Sequence, residues 1–162
     1  MIDEYHRRQT KPGAMLDDLL HGRFIPEVGR TLEHLSSGLT EDGVSSVSLL
    51  RICIDVFVGG MLTAFLGKKQ MRDWEANAAW VGSFLTWERT SWKYMFRMPK
   101  VLSRDTLGAR DEMIRVFVRY LGVPPEERDD ATYFVRETEG MLRDAGCSDE
   151  DIARVLVLHF WT

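Results

Sequence analysis

Apolar residues recur at helical spacing along almost the whole chain, the stretches between them are short, and almost nothing alternates apolar with polar. These three features predict an all-α fold of about seven helices. Met15, Leu16, Leu19 and Leu20 mark a first helix, expected to end at Gly22. Phe24, Ile25, Val28, Leu32 and Leu35 carry a second, with Pro26 in its first turn, where a missing N–H does no harm. Ser36-Ser37-Gly38 closes it, and the stretch from Gly43 to Ser46 reads as a polar loop. Ser48 is placed to cap a long third helix from Leu49 to about Leu66. Its β-branched middle, Ile52, Ile54, Val56 and Val58, also suits a strand, but the uninterrupted length decides for helix.

Gly67 closes that segment, and Met71, Trp74, Ala78, Val81 and Leu85 begin the fourth helix. Pro99 breaks the aromatic-rich stretch from Trp87 to Met98. Ser103 and Asp105 start a fifth helix with Leu107, Met113, Ile114, Phe117 and Leu121 on one face, and Gly122 is expected to end it in the left-handed conformation. Beyond Val123-Pro124-Pro125, a sixth carries Phe134, Thr138, Met141, Leu142 and Ala145 and stops at Gly146. Ser148-Asp149-Glu150-Asp151 reads as an N-cap and capping box for the seventh, with Ile152, Val155, Leu156, Leu158, Phe160 and Trp161. No closing glycine, asparagine or basic turn follows before Thr162, so the expectation is an unfinished helix in a piece of a larger protein. There is no internal repeat.

A chain of 162 residues, 44% hydrophobic, can bury one ordinary core. Its formal charge of -4 has no strong bias: basic residues gather at His6-Arg7-Arg8 and Lys68-Lys69, acidic ones from Glu126 to Asp130. Nucleic acid is excluded as a partner, because phosphate neutralisation needs a concentrated basic face. Cys53 and Cys147 form neither a C-x-x-C nor a Cys/His ligand spacing, which argues against structural zinc and for a reducing, intracellular setting. No apolar run reaches the ~18–20 residues of a membrane span. The longest, Ile52 to Leu66, is interrupted by Asp55 and Gly59-Gly60, and Met1-Ile2-Asp3-Glu4 is acidic where a signal peptide would be basic.

From Trp80 onward the signals fall in a specific order. They are the Phe-x-x-x-Glu helix end at Phe84 to Glu88, Ser91-Trp92-Lys93, Met98-Pro99 followed by Leu102-Ser103, and Ala109-Arg110-Asp111. Pro125-Glu126-Glu127-Arg128, Leu142-Arg143-x-x-Gly146, Asp151-Ile152-Ala153 and the apolar stretch ending Phe160-Trp161 follow. In this order and spacing the chain resembles the cytochrome P-450 haem-thiolate monooxygenases, especially the eukaryotic branch with prostacyclin-synthase-like and sterol-hydroxylase-like members, well populated in fungi. The resemblance implies a partial cytochrome P-450 helical domain over 1–162, clearer over 68–162 and weaker over 1–67. Residues 14–67 would match the helices lettered C to E, and the rest F, G, H and the start of the central I helix. It further implies a parent that oxidises a lipophilic substrate such as a sterol, terpenoid or fatty acid with O2, using haem and an electron-donor reductase. Eukaryotic members commonly carry a membrane anchor, which would lie before Met1.

The departures from that family matter as much. Its thiolate ligand sits in a Phe-x-x-Gly-x-x-x-Cys loop, and neither Cys53, among Ile52, Ile54 and Val56, nor Cys147 has that context. Cys53 is expected to be a buried packing residue. Glu4-x-x-Arg7, Glu27-x-x-Arg30 and Glu112-x-x-Arg115 all precede the I helix, so none is the family's Glu-x-x-Arg pair, and Arg97 lies one position too far from Trp92 for a Trp-x-x-x-Arg. A haem thiolate needs an axial sulfur on one side of the iron and an oxygen pocket on the other. The expectation is therefore that this chain alone neither holds haem nor turns over substrate, and that it self-associates through exposed apolar surface.

By the resemblance, Phe84 and Trp87 end the helix roofing the substrate channel, and Phe160 and Trp161 lie where the I helix nears the haem. They read either as a pocket selecting a lipophile or as ordinary core. His159 has no second ligand or carboxylate at i+3 or i+4, and His6, His21 and His34 share no motif. The acidic run 126–130 reads as the complement of a helix N-terminus rather than paired catalytic carboxylates. Lys68-Lys69 and Lys93 with Arg97 read as solvated charge, or as a face for a redox partner or anionic membrane. The alternative to the haem enzyme is a self-contained helical binding module without activity. No nucleophile–base pair, metal constellation or phosphate cradle supports another class of enzyme.

Overall fold

The computed structural model describes residues 2–37, 49–71 and 74–159, and among these every element is helical, with no strand. Ser48 and the 43–46 loop lie outside the described residues, as do Phe160, Trp161 and Thr162, on which the expectation of an unfinished helix falls. The chain forms two compact units, one of residues 1–72 and 128–138 and one of 73–127 and 139–162.

The first unit opens with a helix that hydrophobic spacing does not announce, α1 (Ile2–Thr10), whose composition is mostly polar. Specific contacts hold it. Gln9 is buried, donating through Nε2 to Met15 O at 3.1 Å and accepting at Oε1 from the Phe134 N–H at 3.3 Å, while Tyr5 meets Tyr133 edge-on and His6 lies 5.2 Å from the Phe134 ring. α2 (Ala14–Asp17) passes through a π-helical stretch, Asp18–Phe24, directly into α3 (Ile25–Ser37). Gly22 therefore does not end a helix. Pro26 has no N–H for the carbonyl one turn back, and the widened π turn before it accommodates both the missing bond and the ring.

The long third helix is present as α4 (Leu49–Ile54), a π-helical stretch Asp55–Gly59 and α5 (Gly60–Leu66) without interruption. Gly67 ends it with φ 98°, and it must be glycine twice over, since a Cβ there would collide with the Asp130 carboxylate. That carboxylate accepts from the Lys69 backbone N–H at 3.1 Å, at the first turn of α6 (Lys68–Met71). Of the acidic run, Asp130 thus meets the first turn of α6, not of a helix that follows Pro124-Pro125. The core of this unit gathers Leu19, Val56, Leu62, Phe65, Leu66, Phe134 and Val135. Thr132 N donates to Phe65 O at 2.9 Å.

The second unit is built around α9 (Arg104–Leu121), against which α7 (Trp74–Thr90) and α11 (Asp149–His159) both pack. Met113, Phe117, Ile152 and Leu156 are completely buried, and Trp80 is nearly so. Between α7 and α9 lies a short α8 (Trp92–Met95), and Thr106, wholly buried, donates to Thr90 O at 3.1 Å to hold the end of α7 beside the start of α9. Ser103 precedes α9 as expected but turns its hydroxyl to the Met98 and Pro99 carbonyls, and Asp105 accepts from the Thr106 N–H instead. Gly122 is right-handed, φ -70°, so it is not the left-handed terminator. The helix stops because Val123 precedes Pro124 and is driven out of the helical region.

A single turn of 3-10 helix, Pro125–Arg128, leads to α10 (Tyr133–Asp144), whose residues to Thr138 belong to the first unit and from Glu139 to the second. Gly146, φ 77°, ends α10 as expected, with Gly146 N donating to Arg143 O and Cys147 N to Leu142 O. α11 then starts on the anticipated capping box. Asp151 N donates to Ser148 Oγ at 3.2 Å, and the Asp151 carboxylate accepts from the Ser148 N–H at 3.3 Å and hydroxyl at 2.5 Å.

Candidate functional site

An apolar groove of about 370 Å3 opens in the second unit between the end of α7, α8, α9 and the last turns of α11. Trp87, Tyr94 and Ile114 line it from one side, Val157 and Leu158 from α11, and Arg110 and Arg154 stand among them. α7 sets Trp87 one turn from its C-terminus, where the ring lies 5.8 Å from that of Tyr94. α9 brings Ile114 up on the face that also buries Met113 and Phe117, which is why its side chain is only 7% exposed. Leu158, by contrast, is 59% exposed, an apolar side chain at the mouth with solvent over it.

Both cations in the groove are already compensated. Arg110 donates twice to Asp111 Oδ1, at 3.1 and 2.8 Å, with its guanidinium carbon 6.0 Å from the Tyr94 ring centre. Arg154 donates to Glu150 Oε1 at 2.6 Å and lies 3.7 Å from Asp151. An occupant therefore finds a mainly hydrocarbon and aromatic surface with no unbalanced charge, the chemistry of a neutral lipophile rather than of an anion.

No family model, curated protein or solved structure matches this chain. The haem-thiolate resemblance thus rests on the order and spacing of the motifs in the sequence.

Of the four residues expected to line a pocket, Trp87 lies in the groove. Phe84, half-buried, is not among its lining residues: its ring stacks on Trp80 at 5.4 Å, and Trp80 in turn meets Phe117, which makes Phe84 part of the core. Phe160 and Trp161 fall outside the described residues, directly after the turn of α11 that supplies Val157 and Leu158. Sequence reading did not single out Tyr94, Arg110, Arg154 or Val157 for this site. Ile114 and Leu158 had been read only as members of helix faces, because periodicity reports burial and not which buried residue borders an opening.

The two cysteines stand in different units. Cys53 is half-buried rather than buried as expected, on an apolar helix of the first unit, and Cys147 is half-buried in the turn joining α10 to α11. Neither lines the groove. His159 approaches Val155 O at 3.2 Å through Nδ1, a contact within its own helix, and among the described residues no three His, Cys, Asp or Glu side chains gather to hold a metal ion.

All three Glu-x-x-Arg spacings form ion pairs inside their own helices, Glu4 with Arg7, Glu27 with Arg30 at 2.6 Å and Glu112 with Arg115 at 2.8 Å. Glu27 is the structural one: its carboxylate is buried and also lies 3.5 Å from Lys68. Lys69 is held by Asp129 at 2.7 Å, which raises the Lys69 pKa and lowers that of Asp129. Lys68-Lys69 is consequently not a free basic patch. Lys93 likewise binds Asp105 at 2.6 Å, and this hydrogen bond first, then the Thr106 N–H, keeps the Asp105 carboxyl below the usual range.

Proposed function

We propose that the chain is a helical segment of a haem-thiolate monooxygenase of the cytochrome P-450 kind, and that it supplies an apolar wall of the pocket for a neutral lipophilic substrate. The observation that carries this reading is the meeting of Trp87 with Val157 and Leu158 in one groove. The resemblance places the F-helix end and the approach of the I helix on the same substrate channel, and these residues come from those two stretches. Haem would come from parts of the parent that bear the cysteine loop, with oxygen activation and electron transfer from a reductase supplied there. The role of this chain's own residues is to exclude water and orient the lipophile.

Two measurements test the assignment. Sequencing the transcript beyond the codon for Thr162 is expected to give the remainder of an I helix, then a Glu-x-x-Arg and a Phe-x-x-Gly-x-x-x-Cys loop. Unrelated sequence in every frame contradicts it. Titrating the purified chain with haem under carbon monoxide after reduction is expected to give no thiolate-type difference band, and such a band would refute the statement that this chain lacks the axial sulfur.

A second reading is a self-contained helical binding module with no enzymatic activity. The closed packing of α7, α9 and α11 favours it, since Met113, Phe117, Ile152 and Leu156 have no solvent exposure within the chain itself. It requires a monodisperse protein with a sharp thermal transition and protected amides. A segment lacking part of its core would be molten or self-associated.

A further inference from the structure

The chain enters α10 with a buried hydroxyl that bonds to nothing. Thr132, directly before Tyr133, is 2% exposed, and among the described residues its Oγ1 has no hydrogen-bond partner. A buried polar group left unpaired costs stability, so one that stands beside an opening points to a ligand that completes it. The opening is a pocket of about 310 Å3 within the first unit. Thr132, Tyr133 and Arg136 border it from α10 and its entry, Gln9 from α1, Met15 from α2 and Arg23 from the π-helical stretch.

The charge around this pocket is positive. Arg23 directs Nε to Asp18 Oδ2 at 2.8 Å and Nη1 to the Asp130 carbonyl, which leaves Nη2 without a partner among the described residues. The Arg136 side chain has no partner among them at all. Asp18 is the one carboxylate on the wall, and it is folded back onto its own helix: besides meeting Arg23, its Oδ1 lies 2.8 Å from where a Gly22 Cβ would stand. Arg8 reaches the Tyr133 hydroxyl at 3.2 Å and lies 3.9 Å from Glu4. The N-terminus of α10, a helix of 12 residues, adds the positive end of its dipole.

We propose that this pocket binds the phosphate group of a small soluble phosphate monoester. Arg136 and the Nη2 of Arg23 pair with phosphate oxygens, and the Thr132 hydroxyl donates to a third. A planar carboxylate is satisfied by one guanidinium fork and would leave the hydroxyl unpaired, whereas a tetrahedral oxyanion engages all three donors. The pocket is larger than one oxyanion, and Ala14 and Met15 offer hydrocarbon to the carbon skeleton of the ester. The site lies wholly within the first unit and depends on neither the groove nor the monooxygenase reading.

The full chain is titrated calorimetrically with glycerol 3-phosphate, inorganic phosphate and acetate at constant ionic strength. Saturable binding of glycerol 3-phosphate, weaker binding of phosphate and none of acetate are expected. Arg136→Gln, at an exposed position, should lower the affinity about tenfold. Thr132→Val, which keeps the shape and removes the hydroxyl, should lower it about fivefold. The ligand-free melting temperature of Thr132→Val should be no lower than that of wild type, because the hydroxyl has no bond to lose, and this separates a ligand contact from a structural role. Arg115→Gln, on α9, should bind like wild type. No saturation by glycerol 3-phosphate below about 10 mM, equal binding of acetate, or unchanged affinity in both pocket variants would overturn the proposal. Sedimentation with vesicles containing phosphatidic acid, in a chain that does not bind glycerol 3-phosphate, would assign the phosphate to a lipid headgroup and overturn it as well.

Discussion

Replacing Arg143 by methionine removes the guanidinium that joins three helices of the second unit. Its Nε donates to Glu139 Oε1 and its Nη1 to Asp149 Oδ1, both at 2.9 Å, while Nη2 donates to Leu121 O at 3.3 Å, at the end of α9. The three bonds are not equal. Arg143 and Asp149 are each 40% exposed, so that pair behaves as a surface bridge worth under ~1 kcal/mol. Glu139 is only 7% exposed, and its charge-assisted bond keeps more of the ~1.5–3 kcal/mol typical of that class. The Leu121 carbonyl at a helix C-terminus adds roughly 0.3–1 kcal/mol. Methionine retains much of the stem's packing, which leaves a net destabilisation of about 2–3 kcal/mol and a fall in melting temperature of about 5–10 °C. Arg143→Lys, with charge but no fork, should lose about half as much. Urea unfolding with hydrogen exchange across residues 104–159 is the assay, and a loss below about 0.5 kcal/mol for Arg143→Met would refute the reasoning.

Three further outcomes are expected. Gly146→Ala places a Cβ on a residue with φ 77° and should cost about 1–2 kcal/mol in chemical denaturation, whereas the same change at right-handed Gly122 should be close to neutral. Gln9→Leu deprives the buried Phe134 N–H of its acceptor and should destabilise the first unit by about 1–3 kcal/mol, read as lost amide protection at the start of α10. The Ser148 hydroxyl, and then its N–H, hold the Asp151 carboxyl below the ordinary value of 3.8, so the cap contributes stability above that value and loses it as pH falls through the lower folded one. Helicity of α11 should consequently persist down to about pH 4 and fray below it, and Ser148→Ala should shift the onset of fraying upward.

Most of the helical order was legible because burial imposes a period of about 3.6 on Leu49 to Leu66, on α9 and on α11, and because Gly67, Gly146 and Ser148 act through local chemistry. α1 was not legible. Its polar residues are held by partners such as Tyr133 and Phe134, more than a hundred positions away, and no local pattern encodes such contacts. The break expected at Gly22 failed because Pro26 is absorbed by a π turn, and propensity does not register that alternative. Trp87 was identified through the resemblance, whereas Tyr94 and Val157 reach the groove only through how α8 and α11 lie against α9. The basic, apolar segment 89–104 was visible as composition, but its exposure was not, since aromatic residues at such density usually signal core.

The apolar wall at Trp87 is tested most directly by tryptophan fluorescence of the full chain titrated with a neutral sterol. A saturable change that is abolished in Trp87→Ala and in Val157→Asp, but retained in Phe84→Leu, is the predicted result. A sterol response that survives both groove substitutions, or no saturable response in the wild-type chain, would contradict it.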